Sequence, residues 1–179
     1  MESKIIVRLF WVMLMFGLVG CGSTNTATKP DVEITAQFKI ESINFKFEQL
    51  VKPEAKYHTP AELEQIFKNK VVALMKEKQL LSDKPGMNKL KINASYQRRF
   101  VGDETPAPSD ALAYPHYSYK IDILDGTKNI VTVSKDNLTF KGGMMMNLQV
   151  IAASLRDKKY EVEFVEALAE GVVERIEDL

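Results

Sequence analysis

With 24 basic and 24 acidic side chains balanced over 179 residues, the chain carries no net charge. That excludes the basic excess with which a nucleic-acid binder neutralises phosphates. A single cysteine, Cys21, excludes an intramolecular disulfide, while the length and the 45% apolar content suffice for one buried core. No segment recurs at the periods of about 20–50 residues that mark solenoids.

The N-terminus has the three parts of an export signal. Lys4 and Arg8 give a positive start, residues 9–18 (LFWVMLMFGL) an apolar core, and Val19-Gly20 lead to Cys21. An apolar run this short falls below the roughly 20 residues that a bilayer-spanning helix needs. Leu18, at −3 from Cys21, is too large for a general secretory cleavage site, which takes small residues there. Leu18-Val19-Gly20-Cys21 resembles the lipobox of bacterial lipoproteins at all four places, the alternative being a chance cysteine beside an ordinary signal peptide or short buried helix. The resemblance implies cleavage between Gly20 and Cys21, diacylglycerol on the Cys21 sulfur, and acylation of the new amine, with palmitate as the label to look for. One acyl chain holds a protein only marginally at a membrane, whereas two or more hold it stably. Gly22, in place of the aspartate that retains many lipoproteins at the inner membrane, favours the periplasmic face of the outer membrane.

Processing at that site would remove residues 1–20 and leave 179 − 20 = 159 residues. Loss of Lys4, Arg8 and Glu2 leaves 24 − 2 = 22 basic and 24 − 1 = 23 acidic side chains. A lipidated Cys21 cannot act as a nucleophile. Residues 21–31 are small and polar, as in a flexible tether.

From residue 32 the pattern alternates: Val32, Ile34, Ala36, Phe38 and Ile40 are apolar, as in a half-buried strand. Ile43, Phe45 and Phe47 continue on the opposite parity, which requires a bulge or break near Ser42. Thr59-Pro60-Ala61-Glu62 predicts a capped helix start, and Leu63, Ile66, Phe67, Val71, Leu74 and Met75 keep helical spacing to about Leu81. After Pro85-Gly86, Leu90, Ile92, Ala94 and Tyr96 alternate as a second strand. Arg98 falls on their apolar parity, where it either pairs with a carboxylate or solvent at the sheet end, or grips a ligand.

Residues 101–115, with three prolines and the acidic pair Asp103-Glu104, predict a long loop. Tyr117, Tyr119, Ile121 and Ile123 form the next strand, Asp125-Gly126 a hairpin, and residues 130–133 its return. Residues 144–155 (MMMNLQVIAASL) fit either period, and the preceding Gly142-Gly143 favours a strand. Val165, Leu168, Val172, Ile176 and Leu179 mark a closing amphipathic helix over 160–179.

The expected fold is a single α+β domain over 32–179. It is a two-layer sandwich of an antiparallel sheet of four to five strands with two helices, in the order β-α-β-β-β-(β)-α. The pieces YQRRF (96–100), LRD (155–157) and FVEALA (164–169) resemble those of small uncharacterised Gram-negative envelope lipoproteins. The element order also resembles lipoproteins that assist lipopolysaccharide assembly. Neither likeness carries a diagnostic motif, so no functional residue transfers.

His58 and His116 lack metal-site spacing, and neither G-x-S-x-G, S-x-x-K nor a Gly-rich phosphate loop occurs. Asp122 and Asp125 are expected on opposite faces. The reading is therefore of a membrane-anchored, non-catalytic binding or assembly module without metal or cofactor. Its partner would be an envelope protein or a glycolipid, met through Arg98, Tyr114 and Tyr117. The alternative is an envelope hydrolase using Asp/Glu acid-base chemistry, which requires a carboxylate pair in a cleft.

Overall fold

The computed structural model describes residues 33–140 and 142–179. The signal segment 1–20, the tether 21–31, Gly20 and Cys21 lie outside the described residues. Strand β1 (Phe38–Gln49) is followed by helix α1 (Pro60–Glu77) and by strands β2 (Asn88–Phe100), β3 (Leu112–Asp125) and β4 (Lys128–Thr139). Helices α2 (Met144–Ile151) and α3 (Lys159–Glu177) end the chain. The described strands form one sheet in the order β1-β2-β3-β4.

The α+β class holds, with corrections to three details. The sheet is mixed rather than antiparallel, because β1 and β2 pair in parallel. A strand that returns through a helix crosses over and lies parallel to its predecessor, whereas the connections β2–β3 and β3–β4 give antiparallel pairs. Residues 144–151 are helical rather than a fifth strand, so the described domain has three helices. Residues 154–155 run on instead to the sheet's end, where the Leu155 carbonyl accepts from the Leu112 N–H.

Helix α1 begins as its sequence dictates. The Thr59 side chain accepts from the Glu62 N–H, Glu62 reaches back to the Thr59 N–H, and Pro60 fills the first turn. It ends at Glu77 rather than near Leu81. Gln79 turns left-handed at φ 56°, and the Leu80 carbonyl accepts from the Phe38 N–H, so the exit chain lies along β1. Its Leu63, Phe67, Val71 and Met75 are fully buried, as are Phe164, Val165, Ala169, Val172 and Val173 of α3. The two stripes share one core with Leu90, Ile92 and Tyr96 of β2 and Ile121 and Ile123 of β3. Each such large side chain contributes roughly 1.5–3 kcal/mol by leaving water.

The parity change in β1 is a bulge between Ile40 and Ser42. It absorbs Glu41, so that Ile43, Phe45 and Phe47 come opposite Ile92, Ala94 and Tyr96 and stay on the helix side. The strand itself begins at Phe38, later than the alternation from residue 32 predicts. The long connection ends at Leu112, so Tyr114 and Pro115 belong to β3, at a register shift where the missing proline N–H is tolerated. The β3–β4 turn is the two-residue loop Gly126-Thr127, with Gly126 supplying a φ of 59°.

Candidate functional site

Two polar constructions stand out, one inside the domain and one on the uncovered face of the sheet. The inner one centres on Arg98. Strand alternation sends Arg98 to the helix side with Tyr96 and Phe100, where it is only 5% exposed. Its Nε donates to Glu161 Oε1 at 2.6 Å, Nη1 to Gln49 Oε1 at 2.8 Å, and Nη2 to the His58 carbonyl at 2.6 Å. Glu161, fully buried in the first turn of α3, also accepts from the His58 N–H at 3.0 Å. The guanidinium lies 4.7 Å from the Phe47 ring centroid and 5.5 Å from that of Tyr57. Tyr57 donates to the Asp110 carbonyl. Burial, followed by the nearby Glu161 and Asp110 charges, pushes its hydroxyl up to about 12.

This network can do little chemistry but much positioning. Arg98 has a partner for each guanidinium nitrogen, and Glu161 for both oxygens, so the pair is locked rather than poised. It ties β1, β2, the approach to α1 and the start of α3 together at one end of the sheet. Of the two readings of Arg98, pairing with a carboxylate is the observed one, but in the interior rather than in solvent. Sequence reasoning misses Glu161 although its signal is present: it lies three, four and seven residues before Phe164, Val165 and Leu168, on the same apolar stripe.

Tyr114 is a strand residue rather than a loop residue, and Tyr117 lies on β3 as its alternation predicts. Tyr114 packs against Phe140 and Phe164, with ring centroids 5.7 and 6.2 Å away, and shares a hydrogen bond with Asn147 of α2. Tyr117 is half-buried on the helix side, against the core. The structure brings neither tyrosine together with Arg98 in one open site.

The second construction is the sheet's other face. Lys91, Asn93, Ser95, Gln97 and Arg99 of β2 alternate with the buried set and so point away from the helices. Register places Asn44 and Lys120 beside Asn93, Lys46 and Ser118 beside Ser95, and Glu48 and His116 beside Gln97. Asn44 Nδ2 donates to Asn93 Oδ1 at 2.9 Å. A depression of about 470 Å³ is lined there by Asn44, Lys46, Asn93, Ser95, Ser118, Lys120 and Asp136, among others. A second, of about 210 Å³, shares Ser95 and Ser118 and extends to Gln97, His116 and Asn137. Asn137 is left-handed (φ 54°), at the register shift in β4 that carries Asp136 toward the depression.

Charge on this face is mixed but fixed. Burial works against ionising Asp122, yet hydrogen bonds from Thr132, Lys120 and Asn129 hold its carboxyl below the usual carboxylate range. Asp103 is held low by its hydrogen bonds with Arg99, burial opposing and the Phe100 N–H assisting. Arg99 also donates to Glu104 at 2.7 Å, and its Nη1 lies 3.1 Å from His116 Nδ1. Asp125 is exposed at the last position of β3, while Asp122 is buried. Asp122, on the uncovered face, and Glu161, beneath the helices, are separated by the sheet. Among the described residues no His/Cys/Asp/Glu group is arranged to hold a metal ion, and no helix is long and apolar enough to cross a membrane.

No protein family matches the chain, and no curated protein does. Five solved chains match in fold comparison. One is a minor lipoprotein from Acinetobacter baumannii, 11% identical, with a TM-score of 0.39 over 75% of this chain and 92% of that one. That likeness is too distant to carry a residue or a role across.

Proposed function

We propose that the chain is a lipid-anchored lipoprotein of a bacterial envelope, acylated on Cys21 and held at the periplasmic face of the outer membrane. Its domain acts as a non-catalytic binding module through the uncovered face of the sheet. The anchor is supported by Leu18-Val19-Gly20-Cys21 directly after an apolar run. One observation carries the binding role: the hydrogen-bonded Asn44–Asn93 pair lies between Lys46 and Lys120 in an open depression on a rigid sheet. Amides, hydroxyls and two ammonium groups, the latter paired with Glu48 and Asp122, suit a hydrogen-bonding partner such as the glycan of an envelope glycolipid, with any phosphate competing for the lysines. The depression's lining also includes Phe45, Ala94 and Tyr119, so the recognition surface sets these polar groups beside apolar ones.

Palmitate labelling and membrane crosslinking test the two halves together. The wild-type chain should incorporate labelled palmitate and Cys21→Ser should not. Lys46→Ala with Lys120→Ala should keep the label but lose the crosslinked glycolipid or protein. If this double variant recovers every partner, the uncovered face is not the binding surface. Co-sedimentation with inner-membrane markers on a density gradient would move the anchor to the other membrane.

A further inference from the structure

Four of the large apolar side chains that stand exposed on the described domain belong to one short helix. Met144, Met145, Leu148 and Ile151 of α2 are 81%, 71%, 52% and 80% exposed. At 3.6 residues per turn they fall within an arc of roughly 120°. The opposite side of α2 is satisfied: Met146 and Val150 pack against the core, and Asn147 bonds to Tyr114. A helix eight residues long, about 12 Å, therefore stands on the domain with its apolar side outward. Arg156, Lys158 and Lys159 follow it, all exposed, with Asp157 the one acid among them.

We propose that α2 inserts this apolar side into the headgroup–acyl boundary of the phospholipid bilayer, so that the domain lies along the membrane. The inference rests on the lipid-anchor reading for its local concentration. Residues 22–32 separate Cys21 from the domain and reach at most about 40 Å even when fully extended. The chain enters at the Asn88 end of the sheet, where the Thr35 N–H donates to Asn88 Oδ1. Helix α2 sits against Tyr114, near the other end, where Phe100 pairs with Leu112. A strand the length of β2 spans about 43 Å. At the roughly 17–20 Å average span of such a flexible tether, attachment at both ends would tilt the strand axis toward the membrane plane. Confinement by a short linker raises the effective concentration of bilayer enough that four side chains can engage without binding strongly by themselves. A convex apolar helix followed by three cations matches a soft, anionic interface, which accepts protruding side chains and attracts ammonium and guanidinium groups.

Tryptophan fluorescence from the full chain tests this. Trp11 is the only tryptophan, so Leu148→Trp in a Trp11→Phe background reports from α2 alone. The lipidated protein and its Cys21→Ser form are each mixed with phosphatidylethanolamine–phosphatidylglycerol vesicles, with and without brominated acyl chains. Expected is a blue shift and a loss of emission to the brominated chains, reached at lower vesicle concentration by the lipidated form. Adding Met145→Glu and Ile151→Glu should return the emission to that of water-exposed tryptophan with an unchanged circular dichroism spectrum. Water-like, unquenched emission from protein that floats with the vesicles overturns the proposal and leaves the anchor standing. Quenching in the Cys21→Ser form, with no palmitate on the wild type, supports insertion and overturns the anchor. A blue shift that grows with protein concentration in the absence of vesicles identifies a second copy as the occupant and also overturns it.

Discussion

Arg98 Nε donates to Glu161 Oε1 at 2.6 Å across 63 residues of sequence, with both side chains buried. The bond joins the second strand of the sheet to the first turn of the last helix. Each residue occupies a position that its element's period assigns to the core, so each charge would be untenable without the other.

Removing one partner should therefore be costly. Arg98→Met or Glu161→Leu is expected to lower stability by roughly 3–5 kcal/mol, since each strands a buried charge. The double variant should lose clearly less than the sum of the two. Urea unfolding of all four proteins checks this, and additive losses would mean the charges do not depend on each other.

Acid should weaken the tie between Arg99 and Asp103. The folded-state carboxyl of Asp103 is held below its ordinary value, chiefly by the hydrogen bonds with Arg99. Its contribution is then fully present above the unfolded value, about 4, and is lost as pH falls through the lower folded value. Asp103→Asn should cost stability at neutral pH, with the gap from wild type closing below about pH 4. An equal gap at both ends would contradict this.

At the start of α1, Thr59→Ala should cost about 1 kcal/mol, because the Glu62 N–H loses its acceptor. Thr59→Ser, which keeps the hydroxyl, should recover most of it. The readout is the denaturation midpoint, with an unchanged slope.

Gly142 reports on the seating of α2. A Cβ there would run into the Tyr114 hydroxyl and ring. Gly142→Ala should displace Tyr114, break its bond with Asn147, and speed amide exchange across residues 144–151. Unchanged exchange would show that α2 is held without Tyr114.

Much of this architecture is legible in short stretches of sequence. The capping box places α1, the parity switch at Ser42 places the bulge, and Asp125-Gly126 places the hairpin, since each is a local device written in adjacent residues. Strand direction is not local: the parallel β1–β2 pair follows from the crossover through α1, which alternation alone does not encode. The Met-rich stretch misleads because methionine suits either period and Gly142-Gly143 can open a turn or a helix. Arg98 stands out as a charge on apolar parity, and its counterpart Glu161 is detectable as a charge on an apolar helical stripe. Tyr114 looks like a loop residue because the prolines hide how early β3 begins, whereas the strand position of Tyr117 is legible from its alternation. The depression between Lys46 and Lys120 assembles residues from separate strands, which only pairing register brings together.

Whether Cys21 carries the lipid that holds this binding module at a membrane is tested most directly by intact mass spectrometry of the chain from its host's membrane fraction. The expected species begins at Cys21, without residues 1–20, and is heavier by a diacylglyceryl group with or without a further acyl chain. A chain that retains residues 1–20, or begins elsewhere with an unmodified Cys21 or none, would contradict the anchor.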